Sequence, residues 1–181
     1  MNPRFTLSAI IALSVLSLAL AQTIVRVNAA SPCATACDLD GGDCDGSNWD
    51  KACQSLAEAV LEVNLVAGAP PDHYEIWVVQ GTYKQPGTDR NKSFLMHKNV
   101  TWYGGFDGTE SSVPDWDTRT DNETILSGDI GTPGVATDNC YHVVRGRITH
   151  GAEFNDPPLD ETAIIDGFTI SDGQADGGAS T

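Results

Sequence analysis

The property that most restricts the fold of this chain is a spacing. From Glu75 onward, apolar residues come in short bursts, "EIWVV", "NVTWY", "TILSG", "YHVVRG" and "AIIDGFTI", and each meets Gly or Asp at once or within a few residues. With Trp77, Trp102, Ile125, Val143 and Ile165 as marks, the intervals are 25, 23, 18 and 22 residues. Strands of an antiparallel sandwich recur every ~8 to 12 residues, run longer and show a polar face of period two. A burst every ~20 residues fits one short strand per turn of a solenoid, with Gly and Asp or Asn at the corners. "NVTWYGGFDGTE" (99–110) shows the pattern best. Its β-branched and aromatic run stops at Gly104-Gly105, where a corner needs backbone freedom that other residues lack. The expectation is an all-β parallel solenoid whose bursts stack on one another.

Upstream of Glu75 the signals change. Arg4, the apolar run Ala9 to Leu20 and the small-x-small triplet Ala19-Leu20-Ala21 have the form of a secretory signal peptide cut after Ala21. "TIVRVN" (23–28) reads as a short strand. "SLAEAVLEVNLVAG" then takes helical spacing. Ser55 and Glu58 make a capping box, Leu56, Ala59, Val60 and Val63 form one apolar stripe, and Gly68 with Pro70-Pro71 ends it.

Export bears on the five cysteines. Cys33, Cys37, Cys44 and Cys53 crowd one segment, and in an oxidising compartment they suggest two disulfides with three possible pairings. Their spacing misses the paired CxxC pattern of a zinc site. Cys140 stands apart, as a buried thiol or an interchain partner.

The formal charge of −15 becomes about −16 once Arg4 is cut away with the leader. Such a surface disfavours nucleic acid and anionic lipid and tolerates divalent cations. Eighteen of the 25 acids are Asp, many beside Gly or Asn, so much of the acidity serves turns. Asp38, Asp40, Asp43 and Asp45 alternate closely enough to offer oxygens to one Ca²⁺, although the EF-hand register fails: Gly42 and Asp43 stand at positions five and six. A solvated acidic loop pinned by disulfides is the rival reading. Calcium is the one cofactor this pattern suggests.

The ordered blocks "DGSNWDKACQSLAEAV", "EIWVVQGTYK", "VTWYGGFDGTE", "TILSGDI", "DNCYHVV" and "AIIDGFTISDGQADG" resemble the N-terminal portion of bacterial secreted right-handed parallel β-helix repeat proteins, of the pectin-lyase-like superfamily. The resemblance covers roughly Asp45 to Gly178. It implies an all-β, right-handed parallel β-helix with a short N-terminal capping α-helix. The implied organisation is a signal peptide over 1–21, a strand and Cys/Asp-rich loop over 22–53, and the capping helix with the first coils over 54–181, a truncated solenoid. The cysteine cluster and "DLDGGDCDG" depart from the plainer loop of such relatives. The resemblance also implies that the sequons at Asn91, Asn99 and Asn122 stay unmodified.

Function follows less directly. Polysaccharide lyases and glycoside hydrolases share the superfamily fold, and they need convergent carboxylates, with a basic residue in the lyases. Asp129, Asp138, Asp166, Asp172 and Asp176, with Arg145 and Arg147, supply the residue types, but each Asp has a corner role open to it. His73, His97, His142 and His150 are dispersed, and Trp77, Trp102, Tyr103 and Phe106 would stack sugars only if they faced outward. No catalytic residue is assigned. The favoured reading is a non-catalytic extracellular or cell-surface module, structural or adhesive. It would bind polysaccharide or a surface protein, with no nucleic acid and no transmembrane segment after leader removal. The alternative is a carbohydrate-active enzyme or a fragment of one. Fold alone decides neither.

Overall fold

The computed structural model describes residues 22–66, 73–115, 119, 121–146 and 159–176. The leader expected over 1–21 and the candidates Arg147 and His150 lie outside them. Nine strands and one α-helix follow in chain order: β1 (Gln22–Val27), α1 (Leu56–Val66), β2 (His73–Val79), β3 (Gly81–Lys84), β4 (Phe94–Met96), β5 (Val100–Phe106), β6 (Thr124–Ser127), β7 (Val144–Gly146), β8 (Ile164–Asp166) and β9 (Phe168–Ser171). Short 3₁₀ turns occupy Trp49–Lys51 and Ala136–Asp138.

The right-handed parallel β-helix expected from the sequence is not what these residues form. They make three small, separate parallel sheets, ordered β1-β2-β5-β8, β3-β6-β9 and β4-β7, alongside the helix. No closed coil runs through the described residues, so an all-β solenoid is the wrong class for them. The physical reason lies in how the bursts pair. Trp102 pairs with Ile76 and Ile165, whereas Ile125 joins Thr82 and Thr169 in another sheet, and Val143 precedes β7 in the third. Bursts that look equivalent by interval therefore belong to different sheets and do not pile into a single stack. Between them, 85–93, 107–123 and 128–143 contain no described strand.

Within the four-stranded sheet, alternation decides which side chains enter the core. Val25 and Val27, Tyr74, Ile76 and Val78, and Val100 and Trp102 point inward and pack with Phe94, Leu126 and Val143. The opposite face of the same sheet is also covered: Trp77, Val79 and Phe106 pack with Ile24, Trp49, Tyr103 and Val113. Trp77 and Phe106 stack at 5.0 Å between ring centroids. Burial on both faces explains why β2 shows no polar period.

Helix α1 closes one end of the core with Leu56, Ala59, Val60 and Val63, the stripe its sequence presents. Each large apolar side chain buried there contributes about 1.5–3 kcal/mol. Half of the capping box forms. The Ser55 hydroxyl accepts from the Glu58 amide at 3.2 Å, while the Glu58 carboxylate reaches away to accept from the Cys37 amide at 3.4 Å. Gly104 against Gly167 is one of two equally tight backbone approaches among the described glycines, Gly128 against Asp172 being the other. A Cβ on Gly104 would lie 2.3 Å from the Gly167 carbonyl oxygen, so a side chain is excluded where β5 meets the β8–β9 corner.

Candidate functional site

The cysteine segment resolves into two crosslinks, Cys33–Cys44 and Cys37–Cys53, 11 and 16 residues apart in sequence. All four sulfurs are thereby used, which removes zinc from the segment. Its backbone lies along the free side of β1. The Arg26 amide donates to the Gly46 carbonyl, and the Cys53 amide donates to the Arg26 carbonyl, each at 2.9 Å. Cys140 is free and buried, and burial pushes its thiol pKa up.

The acids of this segment work on the loop itself. Asp38 accepts from the Asp40 amide at 3.0 Å, and Asp45 accepts from the Ser47 amide at 2.9 Å and pairs with Lys51 at 3.4 Å. Hydrogen bonds from Ser47 hold the Asp45 carboxyl below its ordinary pKa. Among the described residues no group of three or more His, Cys, Asp or Glu side chains is arranged to hold a metal ion. Asp38, Asp40, Asp43 and Asp45 thus form no such group.

The carboxylates weighed for sugar chemistry are likewise committed one by one. Asp129 pairs with Lys84 at 3.0 Å, Asp166 with Arg119 at 2.7 Å and Asp176 with Arg90 at 2.8 Å. Asp172 accepts from the hydroxyls of Ser127 and Ser171, which lower its pKa, and Asp138 accepts from the Thr132 amide. Of the aromatic strip, Trp77, Trp102 and Phe106 are buried and closed to ligands, and Tyr103 is half-buried under the Arg119 guanidinium. His73 bonds to Thr101 and His97 to the Lys98 carbonyl.

What the described residues do form is three shallow, adjacent hollows that share lining residues, the lobes of one groove. The first, about 360 Å³, lies between α1 and residues 85–95. Ala57, Val60 and Leu61 line one side, Pro86 and Leu95 line the other, and Asn64, Asn91, Lys92 and Arg145 supply polar groups. The second, about 410 Å³, shares Asn91 and Arg145 with the first and adds Tyr141, His142 and Ala175. The third, about 470 Å³, shares Tyr141 and His142 and extends to Ile170–Gly173. These sizes are those of ligand clefts.

Two local devices hold the groove in shape. Asn64 donates to the Leu95 carbonyl at 3.2 Å, fixing α1 against β4. Arg90 stacks over Tyr141 at 4.1 Å while donating to the Asn139 and Gln174 carbonyls and to Asp176, so three distant segments meet on one guanidinium. Sequence reasoning missed the groove. Its lining comes from 57–64, 85–95, 141–145 and 170–175, and no local motif links them.

No protein-family model, curated protein or solved structure matches the chain. The resemblance to secreted repeat proteins therefore rests on the quoted sequence blocks alone. Two disulfides are present, and no described helix is long and apolar enough to cross a membrane; both are compatible with an extracellular location.

Proposed function

We propose that this chain is a non-catalytic extracellular or cell-surface module that holds a partner, polysaccharide or protein, in the groove between α1, β4 and the 141–145 segment. The observation that carries this reading is a division of labour among polar residues. The acids that sugar chemistry would need are scattered and tied to Lys84, Arg90, Arg119, hydroxyls or amides. The three hollows are lined mainly by amide, hydroxyl, imidazole, basic and apolar groups, and their two acids, Glu58 and Asp172, lie in different lobes. Glycosidic cleavage by acid–base chemistry needs two carboxyl groups facing one bond, whereas holding a ligand needs an apolar floor and a few directional polar groups. The signal-peptide pattern and the crosslinked cysteines support export.

The test is incubation of the secreted protein with pectin, alginate and related polymers, with and without Ca²⁺, while unsaturated and reducing ends are followed. No new ends are expected. Turnover that survives purification would replace this reading with that of a carbohydrate-active enzyme. In parallel, substitution of Tyr141 or Asn91 by Ala is expected to weaken retention on whichever polymer or protein the wild type binds.

A further inference from the structure

Resting on that groove as the partner site, we infer that its first lobe takes an acidic, leucine-rich peptide segment of another protein rather than a sugar. Three observations converge on this chemistry.

The first is an apolar surface left uncovered. The buried stripe of α1 faces the core, yet Leu61 and Leu65, one helical turn apart, remain 58% and 69% exposed. Leu61 lines the lobe together with Ala57, Pro86 and Leu95, and no aromatic side chain is present to stack on a sugar ring. Aliphatic walls of this kind accept an aliphatic side chain.

The second is charge. The whole chain carries 25 acids against 10 Lys and Arg, and most described cations are consumed internally. Arg90 and Arg119 each hold an Asp and a carbonyl, and Arg26 lies over Trp49 and Trp77. The side chain of Arg145, by contrast, is exposed and has no hydrogen-bond or ion-pair partner among the described residues. It lines both the first and the second lobe, and Lys92 lines the first. In a molecule so acidic, a guanidinium that no internal carboxylate engages is available for an external one, which it can grip with two parallel hydrogen bonds.

The third is the lobe's own acid. Glu58, which also lines the lobe, accepts from the Cys37 amide at 3.4 Å and keeps its charge, so the lobe's two cations, Lys92 and Arg145, face one acid. Aliphatic side chains beside two cations select a partner that is apolar and acidic together, and the same charges reject a basic one.

The probe is a blocked, fluorescent peptide alternating leucine and aspartate, compared with versions carrying lysine or serine in place of aspartate, and with polygalacturonate and a neutral galactan. The secreted protein should bind the aspartate peptide more tightly than the lysine peptide through the local cations, against a net charge of −15 that favours the reverse, and salt should narrow the difference. Arg145→Glu and Leu61→Asp, both at exposed positions, should each weaken binding by at least about tenfold, and Arg145→Glu should gain affinity for the lysine peptide. Equal binding of all three peptides, or indifference to both substitutions, overturns the inference. Retention of a polysaccharide that depends on Arg145 without any peptide binding overturns it too, while leaving the groove as the partner site. Binding of neither class at any salt removes both.

Discussion

The two sides of the sheets are finished in opposite ways. On one side, β1 is covered by the cysteine segment, whose backbone bonds to Arg26 and whose two crosslinks hold it there, and β4 is covered by α1 through Asn64. On the other side, β7, β8 and β9 are the last strands of their sheets among the described residues. Ile164 and Ile170 there are 42% and 52% exposed. An open strand edge invites pairing with other chains. In this molecule covalent and side-chain caps are concentrated at β1 and β4, and exposed surface occurs on both sides: the first lobe with Leu61 lies beside the α1 cap, and the third reaches β9.

The largest test of that contrast is removal of the Cys37–Cys53 crosslink by paired Ser substitution. Closing a loop of this length restricts the unfolded chain by about 3 kcal/mol, and both cysteines are buried, so the loss should be at least of that order. Denaturant melts should show it, and hydrogen exchange should show β1 amides losing protection before those of β5. Equal loosening across all three sheets would mean that the segment does not act as an edge cap.

Next in size is Gly104→Ala. The added Cβ would meet a backbone oxygen rather than a flexible side chain, so strands must separate, at a cost of about 2 kcal/mol. Because the collision is with Gly167, the damage should fall on β8 and β9 and leave the β1-β2 pairing protected. Proteolysis within 159–176, followed by mass spectrometry, would locate it. Asn64→Ala ranks below that. It removes one hydrogen bond on the β4 edge, for about 1 kcal/mol, and frees α1 to shift over the first lobe. A melt should show the small loss, and the leucine–aspartate peptide should bind less tightly.

Much of this organisation could be read from local signals, and the limits of the reading have a physical basis. The α1 stripe was legible because four apolar residues recur at helical spacing, and its Ser55 cap because one hydroxyl suffices to satisfy the helix start. Although β3 and β4 fell in no burst and "AIIDGFTI" divides into β8 and β9, several strand positions were legible as β-branched and aromatic bursts. Their grouping was not. A burst of three or four residues carries too few alternations to state which sheet it joins, so "TILSG" looks like a successor to "VTWY" although it pairs with "GTYK". Glu58 shows the same limit at one residue: its position fits a capping box, and a disulfide-pinned amide competes for its carboxylate. The candidate groove was invisible because Arg145, Leu61 and Asn91 acquire a common role only through tertiary contact.

Acid should expose the contrast most gently. Asp45 on the closed side and Asp172 on the open side both have lowered carboxyl pKa values, the first through Ser47 and the second chiefly through the hydroxyls of Ser171 and Ser127. A carboxyl whose folded pKa lies below its unfolded value stabilises the fold above that unfolded value, near 4 for an Asp, and loses this contribution as pH falls through the lowered folded value. Both groups are largely solvated, so each effect is small and screened by salt. The consequences differ because β9 is held to β6 by its ladder and the Asp172 hydroxyl bonds with no covalent link, while the loop around Asp45 is also held by two disulfides. Lowering the pH through that window should therefore reduce the protection factors at β9, taken relative to intrinsic exchange at each pH, while those of β1 and residues 44–53 hold. Asp172→Asn should remove the pH dependence at β9, and Asp45→Asn should leave it in place. Simultaneous loosening of β1 and β9 would show that acid acts through net charge, and that the crosslinked edge has no advantage under those conditions.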